Sequence, residues 1–365
     1  MLLSKTSRQL DERLLFCWLA LVVIGLVMIY SISSIMAESR FGSHSFFFMR
    51  QFIWALTSVA VVWIIGRVDL ARLAVWSVPA LVVSLVLLTV VFAMPARNEA
   101  HRWIYLGPFT VQPSELFKYV VIFFMAFSMA SPRRDVSKLR QLLIPYVPLI
   151  GTGLLLVLME PDLGNAIVIF LTVLAMFFLA GARIKHLVSA FVPLICMSGF
   201  VVFVLGYKKE RILDFLAAVA DPLQGSYQAK QAALTLGAGG LFGTGLGDGR
   251  QKLFFLPYPH TDFIFAATGE EVGLFGLLLI LALLFYLLRR GMKIASGQPD
   301  RLGYLLAGGM TISLFINIAI NIGVVTSLLP VTGLPLPFLS YGGSSLLMSS
   351  AAVGVLLNLS RRVRP

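Results

Sequence analysis

Long apolar runs that recur along the whole chain constrain its fold more than any other feature of the sequence. A helix needs about 20 apolar residues to cross a bilayer, and about ten runs reach that length. The chain is 58% hydrophobic and only 13% charged, and its mean hydropathy is +0.90, as in an integral membrane protein. We therefore predict an all-α, polytopic bundle of about ten transmembrane helices. The predicted spans are 14–36, 49–66, 74–94, 113–131, 142–159, 163–181, 187–207, 262–288, 303–328 and 338–359.

The basic residues fall in short clusters between the apolar runs, and this distribution predicts the topology. The formal net charge is +12, but the sequence contains no polybasic domain that would hold nucleic acid. An even number of crossings places both termini on one side, and the Lys and Arg clusters assign that side to the cytoplasm. We expect a multi-pass protein of the cytoplasmic (inner) membrane. Its first apolar run is too long for a signal-peptide core and is predicted to be an uncleaved helix.

The chain is predicted to be one membrane domain over residues 1–365, with 208–261 as a long extracytoplasmic loop between the seventh and eighth helices. The start of this loop mixes apolar and charged residues at helical spacing, which favours a helix along the membrane surface. Cys17 and Cys196 both lie inside apolar runs. We interpret them as small hydrophobic residues rather than as a disulfide or a metal-binding pair.

Three acidic residues, Asp262, Glu270 and Glu271, lie in or next to the eighth predicted span. A carboxylate in the bilayer costs about 2.5–3.5 kcal/mol even on insertion scales, so such residues are functional by default. The structural alternative for Asp262, or for Thr261 before it, is a helix cap that accepts from free N–H groups. Glu270 and Glu271 lie about 12 Å further along the helix, on different faces. They need separate partners in other helices or in a wet cavity.

Further charged residues are predicted on the same external side. Pro113 is suited to the first turn of a helix, which places Glu115 and Lys118 just inside the membrane. Their structural alternative is an intrahelical ion pair. Arg102 lies in a short external segment, where it would otherwise be an interfacial anchor. Asp162 lies at the next external turn and is again a candidate cap.

Two segments rich in glycine or proline also belong to the external side. The run LGAGGLFGTGLGDG lacks the preceding strand and the following helix with Lys-Ser/Thr that a nucleotide-binding loop needs. Its glycines are interpreted as sites of tight turns or close backbone approach. In LPVTGLPLPFLSYGGSS the prolines prevent a continuous helix, and Ser340 and Tyr341 lie at the polar mouth of the next span.

A cavity with acidic and basic groups that opens outward from a membrane bundle suits a substrate with an apolar tail and a charged head. A transferase outside the cytoplasm needs a lipid-linked donor, because nucleotide-activated donors are not supplied there. One carboxylate would act as general base on a sugar hydroxyl, and Arg, Lys or a divalent cation would hold the leaving pyrophosphate. Two other classes stay open: a transporter and a non-catalytic scaffold whose carboxylates join helices.

Five stretches carry a resemblance to a known family: RWIYLGPFTVQPSELFK, EPDLGNA, QAALTLGAGGLFGTGLGDGRQKLFFLP, HTDFIFAATGEEVGLFG and LPVTGLPLPFLSYGGSSLL. From the first span to the last, the sequence resembles the SEDS family, named for shape, elongation, division and sporulation. It is more similar to the division-type FtsW branch than to the elongation-type RodA branch.

The resemblance implies a peptidoglycan glycosyltransferase that polymerises lipid II, an undecaprenyl-pyrophosphate-linked substrate, at the outer face of the membrane during cell division or shape maintenance. The expected partners are a class B penicillin-binding protein, which cross-links the product, and other membrane proteins of the division or elongation complex. The alternatives are a lipid II flippase and a scaffold of the division machinery.

The resemblance also implies roles for individual residues. The essential aspartate of the family corresponds to Asp262, expected to be the general base or a ligand of a divalent cation (Mg²⁺ or Mn²⁺), with no covalently bound cofactor. Arg102 and Lys118 are expected to bind pyrophosphate. Tyr258 stands where members usually carry a glutamate, a departure that bears on acceptor or metal binding. The other positions expected to bind substrate or balance charge are Glu115, Asp162, His260, Glu270, Glu271, Ser340 and Tyr341.

Overall fold

A computed structural model of the chain describes residues 10–95, 100–107, 109–132, 146–188, 209–220, 225–249 and 256–363, with single residues between 134 and 144. The predicted seventh span, 187–207, lies almost entirely outside the described residues. The described helices, in chain order, are α1 (Glu12–Phe41), α2 (Phe46–Ile65), α3 (Leu70–Val75), α4 (Ser77–Val90), α5 (Pro113–Ala130), α6 (Val147–Met159), α7 (Leu163–Leu179), α8 (Lys209–Ala220), α9 (Tyr227–Ala238), α10 (Ile264–Ser296), α11 (Arg301–Val325) and α12 (Gly343–Ser360).

Six of these helices, α1, α2, α5, α10, α11 and α12, are long and apolar enough to cross a membrane. A 3₁₀ turn, Val91–Ala93, extends α4, which with α6 and α7 forms a group of shorter apolar helices. The predicted polytopic helical bundle is therefore confirmed. The count of about ten crossings and the extent of the loop 208–261 stay predictions.

The predicted starts of two helices that follow polar, proline-containing segments differ from the structure. The helix after the HTDF sequence begins at Ile264 rather than 262, and the last helix begins at Gly343 rather than 338. In both cases polar and proline residues before the helix form non-helical turns, which apolar run length cannot reveal. Sequence analysis also missed a hairpin in which β1 (Ile104–Leu106) pairs antiparallel with β2 (Phe109–Val111).

Helices α11 and α12 form the interior of the bundle. Most residues of their apolar stretches are buried inside the protein, whereas most of α2 faces outward. Along its length α11 packs against α10, α7 and α5, and α12 packs against α2. Polar groups on α11 and α12 are therefore shielded from lipid and available to organise a site.

Asp11 connects the start of α1 to the last turns of α10 and α12. Its carboxylate caps α1 through Leu14 N (3.1 Å) and accepts from Arg290 Nε (2.9 Å) near the end of α10. Its own N–H donates to Ser360 Oγ (3.1 Å) in the last turn of α12. The first helix and the last are thus connected directly.

Helix α10 is interrupted at Gly273, whose φ of 69° and ψ of −173° are not helical. The glycine segment, residues 239–249, lies against this kink. The two are joined by four main-chain hydrogen bonds: Thr244 N to Glu270 O (2.9 Å), Gly245 N to Glu271 O (3.1 Å), Leu274 N to Gly240 O (3.0 Å) and Phe275 N to Leu241 O (3.2 Å). A Cβ on Gly273 would lie 2.3 Å from the backbone nitrogen of Gly243. This is the close backbone approach that the sequence predicted for these glycines.

Candidate functional site

Asp262 lies in the turn just before α10, outside the membrane-spanning helix, and its side chain is half-buried. It does not cap α10, because Phe263 occupies the cap position and no side chain caps the helix there. The capping alternative is therefore wrong. Its carboxylate faces Gly333, where a Cβ would stand 3.5 Å from Asp262 Oδ2. Gly333 has a φ of 74°, a conformation that favours glycine, and the absent side chain leaves room beside the carboxylate.

Arg102 and Asp162 share the electrostatic environment of Asp262. Burial raises the pKa of Asp262 to about 6, and the charge of Arg102 opposes this rise while the charge of Asp162 adds to it. The guanidinium of Arg102 is fixed by donating from Nε to Glu160 O (3.0 Å) and from Nη2 to Pro161 O. The structure thus brings together three residues from distant parts of the sequence.

The carboxylate of Asp162 is surrounded by donors. Asp162 Oδ2 accepts from Gln112 Nε2 (2.8 Å), Asn165 Nδ2 (3.0 Å) and Ser114 Oγ (3.3 Å). Its other oxygen caps α7 by accepting from Asn165 N at 3.3 Å, so the capping interpretation of Asp162 is confirmed. The sequence analysis missed Gln112, Ser114 and Asn165, although all three lie within the quoted motifs. Their hydrogen bonds hold a fixed negative charge beside Arg102.

Glu115 and Lys118 form an ion pair on α5, with 3.0 Å between Oε2 and Nζ and with side chains 1% and 0% exposed. The intrahelical alternative raised by their spacing is therefore what the structure shows. Glu115 Oε1 has no hydrogen-bond partner among the described residues, and Asp162 is near enough to act electrostatically on Lys118. A role of either residue in substrate binding stays a prediction.

Glu160 is a buried acid in the quoted EPDLGNA motif, and the sequence analysis assigned it no role. Burial and, to a smaller extent, the charge of Asp162 raise the pKa of Glu160 to about 9, against the opposing charge of Arg102. Neither carboxylate oxygen has a hydrogen-bond partner within the described part of the chain. Glu160 is therefore neutral at pH 7.

The three carbonyl groups before α10 each accept a hydrogen bond from a different residue outside the turn. The donors are Tyr341 N to His260 O (2.9 Å), Ser340 Oγ to Thr261 O (2.6 Å) and Asn321 Nδ2 to Asp262 O (2.9 Å). Sequence analysis singled out Ser340 and Tyr341 but missed Asn321, which lies in the apolar helix α11. Roles of Ser340 and Tyr341 in substrate binding stay predictions.

His260 packs its ring between two aromatic side chains. The ring centroids are 4.5 Å from Phe47 and 5.6 Å from Tyr341. Burial lowers the pKa of His260 to about 4, and the charge of Arg40 contributes to this lowering. The imidazole is therefore neutral at pH 7 and packs as part of an aromatic cluster. Its predicted contact with substrate is not tested.

Glu270 and Glu271 lie at the kink of α10, about 12 Å along the chain from Asp262. Glu271 Oε2 accepts from Ser31 Oγ of α1 at 2.6 Å. The Glu270 carboxylate lies against Gly249, where a Cβ would be 2.9 Å from Oε2. The structure places both acids beside the glycine segment, and their predicted role in substrate binding stays a prediction.

No group of three His, Cys, Asp or Glu side chains that would hold a metal ion exists in the described ranges. Mg²⁺ in enzymes is often bound by one or two carboxylates together with substrate phosphates. Asp262, whose carboxylate receives no hydrogen bond from the described residues, fits the protein part of such a site.

Comparisons with known proteins show to which family the chain belongs. A family model described as "Cell cycle protein" (FtsW, RodA, SpoVE) matches residues 11–365. The chain is 43% identical to stage V sporulation protein E of Bacillus subtilis over 99% of both chains. It is 39% identical to a protein of Geobacter metallireducens called probable peptidoglycan glycosyltransferase FtsW, over 99% of this chain and 97% of that one.

Solved structures show the same fold. One chain, from "Structural coordination of polymerization and crosslinking by a peptidoglycan synthase complex", has a TM-score of 0.80 and 28% identity, and covers 96% of this chain and 98% of its own. The rod shape determining protein RodA of Thermus thermophilus has a TM-score of 0.72 and 26% identity over 98% of both chains. The resemblance seen in the sequence motifs is confirmed, and this multi-pass membrane protein belongs to the FtsW/RodA/SpoVE family of cell cycle proteins.

Proposed function

We propose that this chain is a peptidoglycan glycosyltransferase that polymerises lipid II at the outer face of the cytoplasmic membrane. One observation carries the proposal: the carboxylate of Asp262 is free of hydrogen bonds from the described residues, faces the gap at Gly333, and shares its electrostatic environment with Arg102. The name of the Geobacter relative, a probable peptidoglycan glycosyltransferase, supports the same activity.

In this reaction Asp262 is the general base. A hydroxyl of the acceptor sugar loses its proton to the Asp262 carboxylate while its oxygen bonds to the anomeric carbon of the donor. The bond between that carbon and the pyrophosphate oxygen breaks, and lipid pyrophosphate leaves with the electron pair. A positioned base contributes about 10²–10⁴-fold to such a step. With a pKa of about 6, Asp262 is mostly ionised at neutral pH and able to accept the proton.

Arg102 is the proposed ligand of the leaving pyrophosphate. Its guanidinium is oriented by the two carbonyls of Glu160 and Pro161, and its remaining N–H groups are suited to phosphate oxygens. Lys118 is engaged by Glu115, so in this proposal Arg102, rather than Lys118, makes the direct contact with pyrophosphate. A cation held in place before the reaction stabilises developing charge without reorganisation.

Binding of a divalent cation is the alternative role for Asp262, in place of the general base. Asp262 would then supply one carboxylate ligand, with substrate phosphate oxygens and water in the remaining positions, as is usual for Mg²⁺. When bound, the ion would neutralise charge on the leaving pyrophosphate. Addition of a chelator should then slow polymerisation, and Mg²⁺ or Mn²⁺ should restore it.

The cellular setting is also proposed. Both termini would lie in the cytoplasm, because the basic clusters fall on their side of the membrane. A class B penicillin-binding protein is the proposed partner, because the solved relative is part of a complex for polymerisation and crosslinking. We assign the chain to the FtsW branch of the family, with a role in cell division or in sporulation, the process in the name of the Bacillus relative.

Reconstitution tests the activity. Purified protein in liposomes should convert external lipid II into glycan strands visible on gels, and Asp262→Asn should abolish the strands. The matched control is Asp248→Asn, which neutralises an exposed acid in the glycine segment and should keep full activity. Redistribution of labelled lipid II between leaflets without strands would identify a flippase, and full activity of Asp262→Asn would exclude Asp262 as the base.

A further inference from the structure

The turn that carries Asp262 is held in place by hydrogen bonds from residues that do not belong to α10. The first hydrogen bond of α10 runs from Ala267 N to Phe263 O (3.1 Å), so the carbonyls of residues 260–262 lie before the regular helical pattern. Buried carbonyls need partners, above all in a membrane protein. Here three separate donors supply them, two from the segment after the prolines and one from α11.

Asn321 connects Asp262 to the wall that its carboxylate faces. The side chain is 1% exposed, and its amide donates to Asp262 O (2.9 Å) and to Leu334 O (2.6 Å). Leu334 directly follows Gly333, the residue opposite the carboxylate. One amide group therefore sets the separation between the residue that bears the base and the far side of the gap.

Ser340 connects the same turn to the proline segment and to α2. Its hydroxyl donates to Thr261 O (2.6 Å) and accepts from Leu336 N (2.8 Å). On α2, Gln51 donates to Ser340 O (3.1 Å) and accepts from Gly342 N (3.2 Å). The hydroxyl of Ser340 is thus used within the protein, and its position is fixed from both sides.

We propose that Asn321 and Ser340 are positioning residues that hold the backbone of Asp262, so that its carboxylate stands at a set distance from the gap where the acceptor hydroxyl enters. Neither residue touches the reacting atoms, and both act through Asp262. The inference rests on the proposed function. The competing explanation is that these hydrogen bonds only satisfy buried carbonyls and matter for stability alone.

The size of the expected effect follows from the geometry of general-base catalysis. The base must lie within hydrogen-bond reach of the proton that it removes. A displacement of about 1 Å is enough to slow a reaction about 100-fold. Loss of the Asn321 donors should therefore lower the turnover number about 10- to 100-fold and leave the KM for lipid II unchanged, because substrate binding does not use this amide.

The test compares Asn321→Leu with Asn317→Leu. Asn317 lies one turn away on the same face of α11, is 0% exposed, and its amide atoms have no hydrogen-bond partner among the described residues. Both substitutions remove a buried amide of equal size, but only Asn321→Leu frees the Asp262 carbonyl. Asn317→Leu should keep the wild-type turnover number, and Asn321→Gln, which retains the donors, should recover part of the loss. An unchanged turnover number for folded Asn321→Leu would overturn the proposal.

A second pair of variants keeps the test decisive when Asn321→Leu fails to fold. Ser340→Ala removes the donor to Thr261 O, whereas Ser345→Ala removes a buried hydroxyl that has no partner in the described part of the chain. Ser340→Ala should lower turnover about tenfold, and Ser345→Ala should not. An inactive wild type would refute the proposed function itself. An active wild type with full turnover in folded Asn321→Leu or, where that variant does not fold, in Ser340→Ala would refute only the positioning roles.

Discussion

Acidic residues lie in the turn just before α10 and at the kink within it, and the surroundings of the two places differ in one decisive respect. At the turn of residues 260–262, neighbouring donors bond to the backbone, and the Asp262 carboxylate is left open toward Gly333. At the kink, the backbone is satisfied by the glycine segment, and the side chain of Glu271 accepts from Ser31. A buried acid is thus suited to chemistry when neighbouring residues bond to its main chain and leave its carboxylate without a hydrogen bond.

The largest expected effect is a difference in polymerisation activity between a variant of the turn, at Asp262, and a variant of the kink, at Glu271. Asp262→Asn should reduce polymerisation about 10²–10⁴-fold, as expected for loss of a general base, with little change in melting temperature. Glu271→Gln should retain most of the activity and lower the melting temperature, because it weakens the contact with α1. Initial rates and thermal unfolding in detergent measure both. Equal losses of activity in the two variants would erase the distinction.

Backbone strain at the kink gives the next effect. Gly273→Ala would place a residue with a side chain in a glycine-only conformation, which costs about 1–3 kcal/mol, and its Cβ would displace the glycine segment. The melting temperature should fall by several degrees. The control is Gly237→Ala in α9, where a Cβ meets nothing within 4 Å. Stability equal to wild type in Gly273→Ala would show that the kink does not require glycine.

The pH profile of activity tests the open carboxylate. Because the ionised form of Asp262 is required and burial raises its pKa to about 6, activity should fall about tenfold per pH unit below that value. An aspartate at its ordinary pKa of 3.8 would remain active to about pH 4. Removal of the positive charge in Arg102→Gln should shift the inflection to higher pH. An inflection that does not move would place Arg102 outside the field of Asp262.

The smallest effect concerns one hydrogen bond at the kink. Ser31→Ala removes the 2.6 Å donor to Glu271 Oε2 and should cost about 1 kcal/mol of unfolding free energy. Turnover should be unchanged, because the contact is remote from Asp262. Ser39→Ala is the control, since that exposed hydroxyl bonds only to Met36 O in its own helix among the described contacts. Slower turnover in Ser31→Ala alone would link the kink to catalysis.

Local signals predicted some parts of the site well. Pro113 indeed begins α5, and Asp162 caps α7, because caps and first-turn prolines depend on a few adjacent residues. The spacing of Glu115 and Lys118 likewise indicated an intrahelical ion pair as the structural alternative, and the structure shows that pair. Such features need no knowledge of the rest of the fold.

Other parts could not be predicted because they depend on contacts between distant segments. Asn321 is one polar residue in an apolar helix, and only the fold shows that it reaches Asp262 and Leu334. The same holds for Glu160, whose raised pKa arises from burial among neighbours. The strands β1 and β2 of the hairpin have only three residues each. Such strands are too short to show the alternation of apolar and polar residues that predicts a strand.

The junction at Asp11 has a consequence for how the protein is made. Its partners Arg290 and Ser360 are synthesised long after the first helix enters the membrane. During translation Asp11, at the start of α1, therefore lacks these two partners until α10 and then α12 have been synthesised. The contact between the first and the last helix therefore forms only at the end of synthesis. A nascent chain that stops before residue 360 would lack the hydrogen bond from Asp11 N to Ser360 Oγ.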